Sequence, residues 1–184
     1  MAAKVPALPA LLLTFTMFPG IGLCAPATGP AIPSTQATAL DGHTVVLPRD
    51  ISGFPAILIL GFGRHSADAT TAWEKPVRAQ LAQPGKLGYY DMAMLAEVPG
   101  FVRPLVLRAI KHAVPDVVKP HFLPLTTDEA GWKQVAGYQD AAPEAAYVLL
   151  VDAHGNVRWS THQAYSNAGW QQLTEAVQSL AAAK

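Results

Sequence analysis

Cysteine is nearly missing from this chain of 184 residues: Cys24 is the only one. It stands at the end of an uncharged apolar run, just ahead of Ala25-Pro26-Ala27, a small-residue sequence of the kind cut by signal peptidases. Cleavage after Ala27 leaves a mature protein without a thiol, which excludes disulfide stapling and thiol catalysis. Charge is also scarce, at 14% of residues, and the formal net charge is zero, so nothing favours nucleic-acid binding. The motifs of nucleotide and acyl chemistry are missing as well. After Gly61 and Gly63, the third position of a dinucleotide fingerprint is Ser66, and no lysine follows as a phosphate loop requires. Ser66 has His65 before it and Ala67-Asp68 behind it, so it is not a nucleophile elbow.

What is present is apolar sequence, 51% of the chain, enough to fill a core. The expected organisation is an export signal over 1–27, a flexible linker of Pro, Gly, Thr and Ala over 28–39, and one domain over 40–184. An uncleaved apolar run anchoring the chain in a membrane is the rival reading of the N-terminus, and lipidation at Cys24 a third. Leu23 opposes lipidation, because such sites take a small residue there. Either way the domain is read as periplasmic or otherwise extracytoplasmic.

The domain is organised around 54–73. Ile57 to Leu60 form an unbroken apolar run, which predicts a strand covered on both faces. A loop follows, then a helix that Ser66 or Asp68 is placed to cap with a side-chain oxygen. Trp73, Val77 and Leu81 make its apolar stripe, and Pro76 is expected to kink or break it. Further strands are expected at 43–47, 87–92, 121–125 and 146–152, the last turning at His154-Gly155 into 156–160 with Val157 and Trp159 on one face. Thr126 and Glu129 have capping-box spacing ahead of a short helix, and Ser166 or Asn167 caps a final helix striped by Trp170, Leu173, Val177 and Leu180.

Between the third and fourth strands lies a helical insertion around 100–115. Its apolar face is read as Phe101, Val102, Leu105, Val106 and Ile110, and its other face is basic, with Arg103, Arg108, Lys111 and His112. Such a face is either plainly solvated or a docking surface for an acidic partner or anionic lipid.

In this order the elements are those of a β-α-β half followed by a β-hairpin and a terminal helix. The segments LDGHTVVLP, FPAILILGFGRHSADA and AYVLLVDAHGNVRW resemble the corresponding segments of the thioredoxin-like superfamily over most of 39–182. The LLVDAHGNVRW ending and the missing cysteines are most similar to the mitochondrial ATP-synthase assembly factors and their uncharacterised bacterial relatives. The resemblance implies an α/β fold of three layers, a central mixed sheet with helices on both faces. It aligns the redox cysteines of the superfamily with Ser66 and Ala69, and the proline that precedes the YVLLVD-type strand, beside the active site, with Ala146; Pro143 lies three residues too early. The copper-binding branch uses two cysteines and a histidine, so its ligand set is absent too.

Histidine is the remaining reactive resource, and His43, His65, His112, His121, His154 and His162 show no paired spacing. The expectation is a redox-inactive binding or assembly protein with no cofactor and no metal. Its partner is a membrane or periplasmic protein, with weak contact to an anionic membrane surface. The candidate binding surface is Arg64, His65, Ser66 and Asp68 together with Arg103, Arg108 and Lys111. The alternative is an enzyme or weak metal site built from His65, Ser66 and Asp68.

Overall fold

A computed structural model describes residues 29–182. The export-signal segment therefore lies outside the described residues. The apolar run after Pro55 becomes a strand, β3 (Ala56–Gly61), buried along its whole length. A strand with no exposed side must sit mid-sheet, and it does. It pairs in parallel with β4 (Gly88–Met94) on one side, and antiparallel with β6 (Ala146–Val151) on the other. The parallel edge is β5 (Phe122–Leu125) and the antiparallel edge β7 (Val157–Thr161), in the order β5-β4-β3-β6-β7.

Alternation along β3 feeds two cores. Ile57 and Ile59 join Trp73, Val77, Tyr89, Val148, Leu150 and Leu173 beneath α1 (Ala67–Pro76) and α4 (Asn167–Ala182). Leu58 and Leu60 face the other way, packing with Leu149, Val151 and Trp132 under α3 (Glu129–Ala136). Three layers result, as the resemblance implies. Ser166 caps α4 through its Oγ, which accepts from the Gly169 N–H at 3.2 Å. At Pro76 the missing N–H ends regular α-helix, and the chain continues as a π-helical turn over Val77–Leu81, closed by Ala82 N–H to Val77 C=O.

Four expectations change. Of the stretch 28–39 read as a linker, the described residues are ordered into the domain: Thr35–Thr38 is a strand, β1, in a hairpin with β2 (Thr44–Leu47), and Ile32, Ala37 and Ala39 are buried in the core. Its Thr, Ala and Pro residues hide this because their contacts are distant: Thr35 Oγ1 accepts from the Trp132 indole N–H, 97 residues away. Val157 and Trp159 do not share a face. A bulge opposite Leu150/Val151 inserts one residue into β7, which sends Val157 to the α3 side and Trp159 to the α1 side. Thr126 does not cap α3; Asp128 takes the N-terminal position in the left-handed region, φ 57°, without a side-chain cap.

The fourth correction concerns the insertion. Arg103–Ala113 is a helix, α2, as predicted, but none of its residues is buried. Phe101 and Leu105, expected on its core face, are 89% and 69% exposed. Contact with the domain runs instead through Ile110 and the following Val114, which meet Leu40, Val118 and Phe122.

Candidate functional site

The loop from β3 to α1, residues 62–66, leaves the sheet at Gly61, which is flanked by Ala93 of β4 and Ala146 of β6. Two glycines are needed here because other groups come too close. A Cβ on Gly61 would stand 2.4 Å from Ser66 Oγ, and one on Gly63 would meet Glu144 Oε2 at 2.2 Å and the Pro143 carbonyl at 2.6 Å. The chain is thus pressed against the segment that precedes β6.

Ser66 occupies the N-terminal boundary of α1, and its carbonyl accepts the first helical bond from Thr70 N–H at 2.9 Å. The side chain does not cap. Its Oγ, on a residue only 6% exposed, donates to the Gly63 carbonyl at 2.9 Å. Asp68 does not cap either; it is an exposed charge in the first turn, where the helix dipole favours an anion. Capping by Ser66 or Asp68 is therefore corrected: Ser66 has αR backbone angles, and its hydroxyl turns back to its own loop.

A residue that sequence reasoning missed holds this loop. Glu144 Oε2 accepts from the His65 backbone N–H at 2.6 Å, across 79 residues. Only the fold brings them together, since β6 runs antiparallel beside β3 and delivers its preceding segment to the end of β3. Ala146, which the resemblance aligns with the superfamily's proline, starts that strand opposite Gly61. Behind the loop, Phe62 packs edge-on against Tyr138 and Tyr147, with centroids 5.1 and 5.3 Å apart. His162 stacks on Tyr147, whose hydroxyl is held by Gln139 and Ala142.

The loop and the first turn of α1 gather Arg64, His65 and Asp68 as exposed groups within five residues, with Ser66 buried among them. It does not gather the basic residues of α2, and no hydrogen bond or ion pair joins the two sets among the described residues. Arg108 and Lys111 are exposed. Arg103 is not a free charge on that face: its guanidinium donates to the carbonyls of Ala96 at 3.4 Å and Val98 at 3.0 Å. Among the described residues no three His, Cys, Asp or Glu side chains group to hold a metal ion.

Beneath α1 lies a second polar group that the sequence hinted at only through Asp91 in the otherwise apolar GYYDMAM. Asp91 and Glu74 are 6% and 4% exposed. Burial, with the neighbouring Glu74 charge, pushes the Asp91 carboxyl up to about 7. Glu74 accepts from Arg78 Nε at 2.6 Å. Tyr89 stacks on His121 at 4.4 Å, and burial raises the tyrosine hydroxyl and lowers the imidazole.

No protein-family model matches the chain, and no curated protein matches it significantly. Solved structures do. A putative electron transport protein from Aquifex aeolicus superposes with a TM-score of 0.58 at 16% identity, over 83% of this chain and 97% of that one. BsSco, a member of the Sco family of cytochrome c oxidase assembly proteins, gives 0.57 at 15% identity, over 87% and 98%. The exposed lipoprotein thioredoxin of Streptococcus pneumoniae gives 0.54 at 13%, over 78% and 99%. At such identities the likeness is one of fold, and the fold is thioredoxin-like.

Proposed function

We propose that this chain is an extracytoplasmic, redox-inactive thioredoxin-like domain that binds or helps assemble a membrane or periplasmic protein. The observation that carries this reading is the state of the loop where the fold presents its dithiol in redox relatives. The resemblance puts Ser66 at the first of those positions and Ala69 at the second, and the Ser66 hydroxyl is turned back on the Gly63 carbonyl in a residue only 6% exposed. A thiolate and a geometry to present it are what such redox chemistry requires. What the loop offers outward is Arg64, His65 and Asp68, a small charged surface braced from behind by Glu144. A braced loop suits recognition, because little freedom is lost on binding. The likeness to an assembly protein of the Sco family adds to this reading, as does the resemblance of LLVDAHGNVRW to the ATP-synthase assembly factors. The extracytoplasmic location rests on the apolar N-terminal run and Ala25-Pro26-Ala27. No helix among the described residues is long and apolar enough to cross a membrane.

The enzyme alternative asks Ser66 to give its proton to His65, but that proton already goes to the Gly63 carbonyl. Affinity capture from a membrane extract tests the proposal. The wild-type chain should retain a partner that the Arg64→Glu/His65→Ala/Asp68→Asn variant loses, with the unfolding midpoint nearly unchanged because all three side chains are exposed. A partner held equally by both proteins refutes the loop as the binding surface. In parallel, Cys24→Ser protein should reduce insulin disulfides no faster than buffer.

A further inference from the structure

The insertion helix α2 is an amphipathic helix whose outward side is not what a solvated helix carries. Advancing about 100° per residue, Leu105, Arg108 and His112 fall on one side of α2, with Lys111 beside them, and Phe101 stands in the turn that leads into the helix. All five are exposed, Phe101 by 89% and Leu105 by 69%. The opposite side holds Arg103, Val106, Leu107 and Ile110, each half-buried. There is no Asp or Glu between residues 98 and 115. The flanking acids are already engaged, Glu97 by Lys133 at 3.1 Å and Asp116 by Lys119 at 2.5 Å. The positive charge of Arg108 and Lys111 is thus left uncompensated beside two projecting apolar side chains.

We propose that α2 seats in the surface of an anionic bilayer. Phe101 and Leu105 enter the boundary between headgroups and acyl chains, and Arg108 and Lys111 meet lipid phosphates. Charge complementarity selects an acidic occupant. Shape selects lipid over protein: Phe101 in the turn before α2 and Leu105 in its first turn both project into solvent, 89% and 69% exposed. A protein partner would need matching pockets for them, whereas a fluid interface accommodates projecting side chains without any. The inference is independent of the loop at 62–66 and holds whether or not that loop binds a protein.

The test uses the full-length protein with Cys24→Ser and Ala109→Cys, carrying an environment-sensitive dye at the new thiol on the outward side of α2. With vesicles of phosphatidylcholine and phosphatidylglycerol, the dye emission should shift to the blue and the chain should cosediment. Phosphatidylcholine alone should give no shift, and added salt should weaken the response. Phe101→Ala with Leu105→Ala should lower partitioning about 30-fold, and Arg108→Glu with Lys111→Glu about tenfold or more. Circular dichroism confirms that each variant is folded, and the dye on the otherwise wild-type helix reports independently of them. Cosedimentation with an unchanged dye would show that the N-terminal apolar run alone binds the vesicles, and would overturn the proposal. A dye that ignores vesicles but responds to an acidic soluble protein would also overturn it, and would make α2 a protein-docking helix.

Discussion

Two buried carboxylates in this domain titrate in opposite directions, and each follows from what surrounds it. Asp91 lies under α1 beside Glu74, with the Arg78 guanidinium held by Glu74 and the Tyr89 hydroxyl without a partner. Its carboxyl is raised from 3.8 to about 7, first by burial and then by the Glu74 charge. The folded state therefore keeps a proton that the unfolded chain releases. Stability from this group is full below about 4 and is lost as pH rises toward 7. Asp91→Asn should remove that slope, so that wild type loses a few kcal/mol relative to the variant between these limits, on the order set by the shift. Urea midpoints of both proteins across that range decide it; parallel curves would mean Asp91 is ionised or solvated in the fold. Asp152 behaves conversely. Burial would raise it, yet Asn156, His154 and Arg158 donate to its carboxylate and hold it down at about 2. Its contribution is present above about 4 and vanishes as pH falls through 2. Asp152→Asn should then cost about 2 kcal/mol at neutral pH and nothing in strong acid.

Among the elements, α2 and the start of α1 separate structural from surface roles. Arg103 fastens α2 to the carbonyls of Ala96 and Val98, whereas Arg108 points to solvent. Arg103→Ala should lower stability by about 1–3 kcal/mol, because two charge-assisted hydrogen bonds go. Arg108→Ala should stay within about 0.5 kcal/mol. Equal effects in thermal melts would contradict this division. At α1, Ser66 and Ala69 are one helical turn apart, the spacing at which paired cysteines oxidise. Ser66→Cys with Ala69→Cys should form a disulfide in air, read as loss of free thiol. Persistence of both thiols would show that the loop has departed from the redox geometry as well as from the redox residues.

For the molecule as a whole, the hairpin of β1 and β2 belongs to the core. Ile32 pairs its N–H with the Gly155 carbonyl, and Val157 N–H reaches Pro30 across the same contact. A chain beginning at Leu40 forfeits the burial of Ile32, Ala37 and Ala39 and the Trp132–Thr35 hydrogen bond. The loss is on the order of 5 kcal/mol, comparable to the whole stability of many domains. Such a chain should lack a cooperative unfolding transition, while one beginning at Gly29 should keep it. The sequence by itself determined the central strands, the apolar stripes of the helices after them and the Pro76 break, because unbroken apolar runs, stripes of period 3.6 and a missing N–H act over a few residues. The resemblance, not the sequence alone, aligns Ser66 and Ala69 with the superfamily's dithiol. The tertiary structure decided the rest. Glu144 braces the loop from 79 residues away, β1 is identified as core through Trp132, and the bulge in β7 reverses one side chain's face. Phe101 and Leu105 carry the apolar pattern of a packed helix, and whether a neighbour covers such a pattern depends on chain paths that no local period encodes.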